Sequence, residues 1–310
     1  MGMSGTSVWE PHSAEAGIRV PAVSVVGGMN LDILGIPAGV MRLRDSNIGT
    51  IRFRPGGVGR NIAQRLAENG AKARLCTAIS RDERSRLLKV ACADSGIDLS
   101  LSVETDLPTP CYLCVHDAEG DMLAALNDMA AMEELTPAAI SPRLPLLNAA
   151  DACVLDANLP QETLLYLARH VTVPLILEPV SCAKAKKALP ILPYLAAIKP
   201  NRMEAEELTG EKDMDKAANR LLAQGVRRVF ISLGKDGVLY RDAHEGGVIP
   251  AIPLPRVPLT GAGDALCAGL TLALTMGKGM RECAESGART AYRSLIREMP
   301  EESAKKSDFP

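Results

Sequence analysis

No run of about 18 apolar residues, the length that crosses a bilayer, occurs in this chain of 310 residues. The first twenty residues carry Gly, Ser and Pro without periodicity and lack the apolar core of a secretory leader, so they read as a flexible N-terminal tail. A cytoplasmic protein is expected, with no membrane partner. Neither sign of charge is in excess: Lys plus Arg total 35, Asp plus Glu 37, a net charge of −2. That balance speaks against nucleic acid as a partner, which needs a clustered basic surface, yet leaves room for one local phosphate site. Internal repeats and low-complexity tracts are missing. So is the phosphate loop Gly-x-x-x-x-Gly-Lys-Ser/Thr, and any nucleotide has to be held in another way. Cys111 and Cys114 have the spacing of half a zinc site, but no second Cys or His pair completes it. The eight cysteines therefore read as reduced, mostly packed thiols.

What is present builds a core: 47% of residues are apolar and 23% charged, ordinary globular usage. The length permits two domains or one large α/β domain. Short buried strands are expected at Val23–Gly28, with Asn30 and Asp32 at its C-terminal end, and at Ala152–Asp156, Pro174–Leu177, Ala196–Ile198 and Arg228–Leu233. Helical segments alternate with them, at Asn61–Asn69 before Gly70, Met203–Leu208, Lys216–Ala223 and Leu266–Met276. Strand–helix alternation predicts βαβ units and a mostly parallel sheet covered on both faces. Residues 36–56 and 109–126 break the rhythm with period-two alternation, which predicts a small antiparallel sheet beside the C-terminal edge of the main one, placed to act as a lid.

Five short blocks carry candidate chemistry. Thr260-Gly261-Ala262-Gly263-Asp264 precedes an apolar helix. Small residues there free the backbone N–H groups, which with the helix dipole favour a developing negative charge. Asp264 beside them has the position of a base that takes a hydroxyl proton during phosphoryl transfer; the plain alternative is a cap with glycines for close packing. Gly56-Gly57-Val58-Gly59-Arg60-Asn61 runs into a helix, so that backbone can approach a ligand and Asn61 can offer both a donor and an acceptor. Asn30 and Asp32 point the same way in extended chain, a natural clamp for vicinal sugar hydroxyls or else an Asx turn. Asn201 and Glu204 have capping-box spacing, and Glu204 could also hold Mg²⁺ through water. Ser232, Gly234 and Gly237 lie in a loop after a strand that could cradle phosphate or simply turn the chain.

Each block is ambiguous alone; their order is not. Together they resemble the ribokinase-like (PfkB) carbohydrate kinase family, over roughly residues 22–295. The resemblance implies a Rossmann-like αβα sandwich with a β-sheet lid in a domain spanning 21–300, a C-terminal tail at 301–310, and a homodimer formed through the lid. It implies Mg·ATP as phosphoryl donor and a small-molecule acceptor, often with stimulation by a monovalent cation such as K⁺. Asp264 would be the base and Gly261, Ala262 and Gly263 the anion hole. Asn30, Asp32, Gly57 and Asn61 would hold a ribose. Asn201 and Glu204 would organise Mg²⁺ and phosphate, with Ser232, Gly234, Gly237 and Thr260 at the nucleotide. Further blocks, Asp45-Ser46-Asn47, Leu126-Asn127-Asp128-Met129 and Glu178-Pro179-Val180-Ser181, resemble the branch of the family that phosphorylates the 5′-hydroxyl of the C-nucleoside pseudouridine. Ser46, Asn47 and Asn127 would then face the base or the lid interior. Other nucleosides or sugars, ribose and adenosine among them, are the alternative acceptors. A catalytically inactive ligand-binding homologue is a third reading, against which the retention of Asp264 and its glycines speaks. The chain departs from the family pattern at Val257-Pro258-Leu259-Thr260 and in the short charged stretch after Arg289.

Overall fold

The computed structural model describes residues 19–253 and 261–297. Fourteen strands occur among them. In chain order they are β1 (Ala22–Val26), β2 (Asn30–Pro37), β3 (Gly49–Gly56), β4 (Lys72–Cys76), β5 (Ala78–Ser80), β6 (Val103–Thr105) and β7 (Cys111–His116). They continue with β8 (Met122–Asp128), β9 (Ala152–Asp156), β10 (Leu175–Glu178), β11 (Ala197–Ile198), β12 (Val229–Ser232), β13 (Val238–Arg241) and β14 (Gly246–Ile249).

The main sheet runs β14-β13-β12-β11-β10-β9-β1-β4. From β4 to β12 every pairing is parallel, whereas β12–β13 and β13–β14 are antiparallel, so the sheet is mixed at one edge. Strands β1, β9 and β10 are buried along nearly their whole length, which is why they read as unbroken apolar runs. Two hydrophobic clusters lie on the two faces: one gathers Leu155, Leu177, Ile198 and Ile231, the other Val25, Val154, Ile176 and Phe230. Alternate residues of the same strands thus feed opposite layers, as a sheet sandwiched by helices requires.

Helix Val58–Glu68 buries Ile62, Ala63 and Leu66 on one stripe and stops before Gly70, whose φ of 89° suits glycine. Helix Ala262–Thr275 is different, with every residue from Ala265 to Leu274 buried. It crosses helix Met280–Arg297 closely: a β-carbon on Gly287 would sit 2.9 Å from the Leu266 carbonyl oxygen, and one on Gly269 would overlap the Thr290 hydroxyl. That final helix runs eight residues beyond Arg289.

Four strands form the projecting sheet, in the order β3-β2-β7-β8. The sequence placed the lid strands within 36–56 and 109–126; the structure starts the lid earlier, at Asn30. Gly27-Gly28-Met29 ends β1, and the chain turns there into β2, so Asn30 and Asp32 belong to the lid rather than to the end of β1. The β2–β7 pairing is parallel, so the lid is not purely antiparallel as the period-two pattern suggested. Its two faces differ. One row across all four strands reads Phe53, Ile33, Leu113, Leu126, and on the opposite face another reads Arg54, Asp32, Tyr112, Asn127.

All eight cysteines are free. Among the described residues no cluster of His, Cys, Asp and Glu is arranged to hold a metal ion by itself. No described helix is long and apolar enough to cross a membrane.

Candidate active site

Most of the sequence-predicted residues end or follow parallel strands, or open helices, at the C-terminal edge of the main sheet, where a ligand sits in open α/β folds. On the lid side, Asn30 Nδ2 donates to Asp32 Oδ1 at 2.6 Å. The Asp32 carboxylate lies over Gly56, where a β-carbon would come within 2.5 Å of Oδ2. Burial raises its pKa, opposed by the Asn30 hydrogen bond and by the charges of Arg54 and Arg60. Gly57 has φ 100°, and a β-carbon on it would stand 2.5 Å from the Gly28 carbonyl oxygen. Any side chain there would push the two loops apart.

Helix Val58–Glu68 then delivers Asn61. Its Nδ2 donates to Asp264 Oδ2 at 2.9 Å, joining residues 203 positions apart. Arg60, itself buried, donates from Nη1 to Asn61 Oδ1 at 3.3 Å and to the Pro55 carbonyl at 3.2 Å. The amide is therefore oriented: its oxygen faces Arg60 and its nitrogen faces Asp264.

Asp264 lies in the first turn of helix Ala262–Thr275, as predicted. Gly261 is the N-cap at φ 81°, and among the described residues no side chain caps this helix end, which makes its first-turn amides available to a ligand. Desolvation raises the Asp264 pKa to about 6, against the Asn61 hydrogen bond and the charge of Lys199; Asp156 adds to the rise and Arg65 opposes it. A carboxylate poised near neutrality suits proton abstraction. Thr260 and the departing stretch 257–259 lie outside the described residues.

The candidate nucleotide residues form a second group. Asn201 and Glu204 make the full capping box: Glu204 N donates to Asn201 Oδ1 and Asn201 N donates to Glu204 Oε2, both at 2.9 Å. An isolated bridge pairs Asn201 with Ser232, which brings the two loops together. Gly234 and Gly237 adopt φ of 64° and 101°. A β-carbon on Gly237 would overlap the Ile249 carbonyl, so this glycine is also required by the turn into β13.

The base-facing candidates separate. Asn127 lies in register with Tyr112 and Asp32 on the inner row of the lid. Asn47 lies instead in the β2–β3 loop, where its amide is engaged with the Arg42 N–H and with the Arg42 and Asp45 carbonyls. It shapes the loop that carries the exposed Ser46.

Several residues at this edge were given no role from the sequence, Glu178 having been noted only within the block Glu178-Pro179-Val180-Ser181. Asp156, fully buried, accepts from Gly28 N at 2.7 Å and Asn158 N at 2.9 Å, and so fixes the turn out of β1. Lys184 donates to Asn158 Oδ1 at 2.5 Å. Lys199 and Glu178 form a buried ion pair at 2.7 Å. The available signal was positional: Asp156 and Glu178 end parallel strands on the ligand edge, and Lys199 directly follows one.

With the fold and this edge described, the class is defined. The chain matches the model of the pfkB family of carbohydrate kinases over residues 21–300 and belongs to that family. It is a phosphotransferase with an alcohol group as acceptor, and the family implies ATP as donor. It is 37% identical over 257 residues to pseudouridine kinase of Escherichia coli strain K12, covering 80% of this chain and 82% of that protein. It is 25% identical to guanosine-inosine kinase of Exiguobacterium acetylicum, covering 87% and 92%. Ribokinase of Thermotoga maritima superposes with a TM-score of 0.79 at 27% identity, covering 92% and 95% of the two chains.

Proposed function

We propose that this protein transfers the terminal phosphoryl group of ATP to the 5′-hydroxyl of pseudouridine. The observation that carries the chemistry is the Asn61–Asp264 contact, which ties the lid-side glycine loop to a carboxylate at an uncapped helix start. The choice of acceptor is supported by the similarity to the E. coli pseudouridine kinase.

In this reading Asn30, Asp32, Gly57 and Asn61 grip the ribose, and Asp264 takes the proton of the 5′-hydroxyl as its oxygen attacks phosphorus. The amides of Gly261, Ala262 and Gly263 receive the negative charge of the migrating group. Ser232, Gly234, Gly237 and Thr260 hold the nucleotide. The residues at the Asn201–Glu204 turn fit an outer-sphere Mg²⁺ site. Glu204 is buried with one oxygen fixed on Asn201 N, and no protein cage is needed where phosphates and water complete the coordination. When bound, Mg²⁺ supplies neutralising charge to the phosphate oxygens.

Ser46 and Asn127 are the proposed contacts to the uracil, with Asn47 shaping the loop. A C-linked uracil exposes a ring N–H that uridine lacks, and an acceptor aimed at it would be left unpaired by uridine. The apolar outer row of the lid supports a homodimer: Phe53 is 58% exposed and Leu126 71%.

A coupled assay of ADP release with pseudouridine, uridine, adenosine and ribose tests the assignment. Efficient turnover of ribose or adenosine with none of pseudouridine would reject it.

A further inference from the structure

We propose that Lys199 is a fixed cation built into the back of the anion hole, held by Glu178, that acts through the Gly263 amide and Asp264 during phosphoryl transfer. The proposal rests on the reading of Asp264 as the base.

Lys199 follows β11, and its backbone N–H donates to the Leu177 carbonyl at 3.0 Å, which locks its position against β10. Its side chain is 4% exposed and that of Glu178 5%, with Nζ and Oε2 2.7 Å apart. The other oxygen of Glu178 accepts from Val180 N at 3.4 Å. Val180 has φ 71°, a conformation that β-branched residues rarely adopt. The carboxylate is thus held on two sides, by the lysine and by a tightly turned loop.

Gly263 explains where the ammonium points. Among the described residues, and apart from the helix's own backbone and the neighbours of Gly263 in the chain, a β-carbon built on Gly263 would meet one heavy atom within 4 Å, Lys199 Nζ at 3.1 Å. The ammonium fills the space that a side chain would take at the second residue of the helix. A positive charge there adds to the field of the first-turn amides, which favours negative charge on the phosphoryl oxygens.

The surroundings of Asp264 sharpen the assignment. Burial raises the pKa of Glu178, opposed by Lys199, and the charge of Asp264 adds to that rise; burial also raises that of Asp264, whose ionisation Asp156 further disfavours. Lys199, Arg65 and the Asn61 amide favour it. Lys199 keeps its proton, because the charges of Glu178 and Glu204 outweigh desolvation. A buried ion pair is a poor device for stability alone, since an apolar pair of similar volume serves as well or better. The pair at this position supplies what an apolar pair cannot, a cation next to the reacting charge.

The test compares wild type with Lys199→Met, Glu178→Gln and the double variant Lys199→Met/Glu178→Leu, measuring kcat and nucleoside KM across pH. Lys199→Met is expected to lower the plateau kcat about 100-fold, the scale of losing one oxyanion-hole donor, and to move the acid limb to higher pH, with nucleoside KM changed less than about threefold. Glu178→Gln is expected to move the acid limb the other way, because a negative neighbour of Asp264 is gone. The double variant replaces both charges by apolar groups, so it folds even if the single lysine variant does not, and it should repeat the kcat loss. A plateau kcat within about threefold of wild type in the double variant, or acid limbs moving in the same direction in both single variants, would overturn the proposal. Asp264→Asn serves as the control: near-wild-type turnover there would reject Asp264 as base, and the plateau kcat of the lysine variants then decides the role of Lys199.

Discussion

Asn61 and Asp264 meet at 2.9 Å, with the amide nitrogen of one against a carboxylate oxygen of the other. The bond favours the ionised form of Asp264 and partly offsets the desolvation that raises its pKa to about 6. Replacing Asn61 by Ala should therefore move the acid limb of kcat/KM to higher pH and also raise the nucleoside KM. A pH profile of the variant checks both. An unmoved limb would separate Asn61 from the ionisation of Asp264.

Asp264→Asn should lower kcat by about 10²–10⁴, the usual contribution of a positioned base, while ATP and nucleoside still bind in calorimetry. The same change has a stability consequence. The folded pKa of Asp264 lies above the ordinary carboxyl value, so the folded state holds the proton more firmly. Its contribution therefore falls as pH rises through the window from about 4 to about 6. The Asn variant, free of that effect, should melt higher than wild type at mildly alkaline pH and no higher well below pH 4.

Asp82 fastens the root of the lid. It accepts from Thr109 N at 2.9 Å, from the Thr109 hydroxyl and from Ser85 N at 3.0 Å, and so joins the start of helix Glu83–Asp94 to the chain entering β7. Desolvation pushes its pKa up, but these hydrogen bonds and Arg84 outweigh it and bring the value down to about 2. The contribution is present above the ordinary value near 4 and is lost as pH falls toward 2. Asp82→Ala should cost about 1–2 kcal/mol, as for other N-cap losses, in denaturant unfolding at neutral pH, and little at pH 2.

Gly57→Ala should cost about 1–3 kcal/mol for its backbone conformation, with the collision against the Gly28 carbonyl adding to it. Its nucleoside KM should rise more than its ATP KM. A change confined to ATP would place the glycine loop on the other substrate.

Phe53→Asp puts a charge in the outer apolar row of the lid. Sedimentation should give a dimer for the wild type and a monomer for the variant. A wild type that sediments as a monomer, or a variant that stays dimeric, would remove the lid from the interface.

The layered α/β core was legible because buried parallel strands are short apolar runs and the helices between them end at glycines: β9 occupies the predicted Ala152–Asp156. The start of the lid was not. Asn30-Leu31-Asp32 reads as the tail of β1, and only the pairing of Leu31 with Cys111 and Pro55 assigns it to another sheet. Local pattern carries no information about such partners. Asp264, Asn61 and the glycine loop announced themselves through unusual residues at helix starts. Lys199 did not, and Glu178 did so only within the block Glu178-Pro179-Val180-Ser181, because a charged residue at the end of a short strand looks like a solvated end until the fold buries it. Asn47 shows the converse: a polar residue in a suggestive block whose hydrogen-bonding groups are engaged within its own loop.

Because Asn30 and Asp32 stand on the first strand of the lid, and Gly57 on the segment just after its second, the proposed sugar grip is not a fixed floor beneath a movable cover. Occupancy by a nucleoside and the attitude of the lid become one mechanical variable. Any contact that restrains the lid from outside, a second protomer on its apolar face included, would then be felt as a change in how tightly the sugar is held.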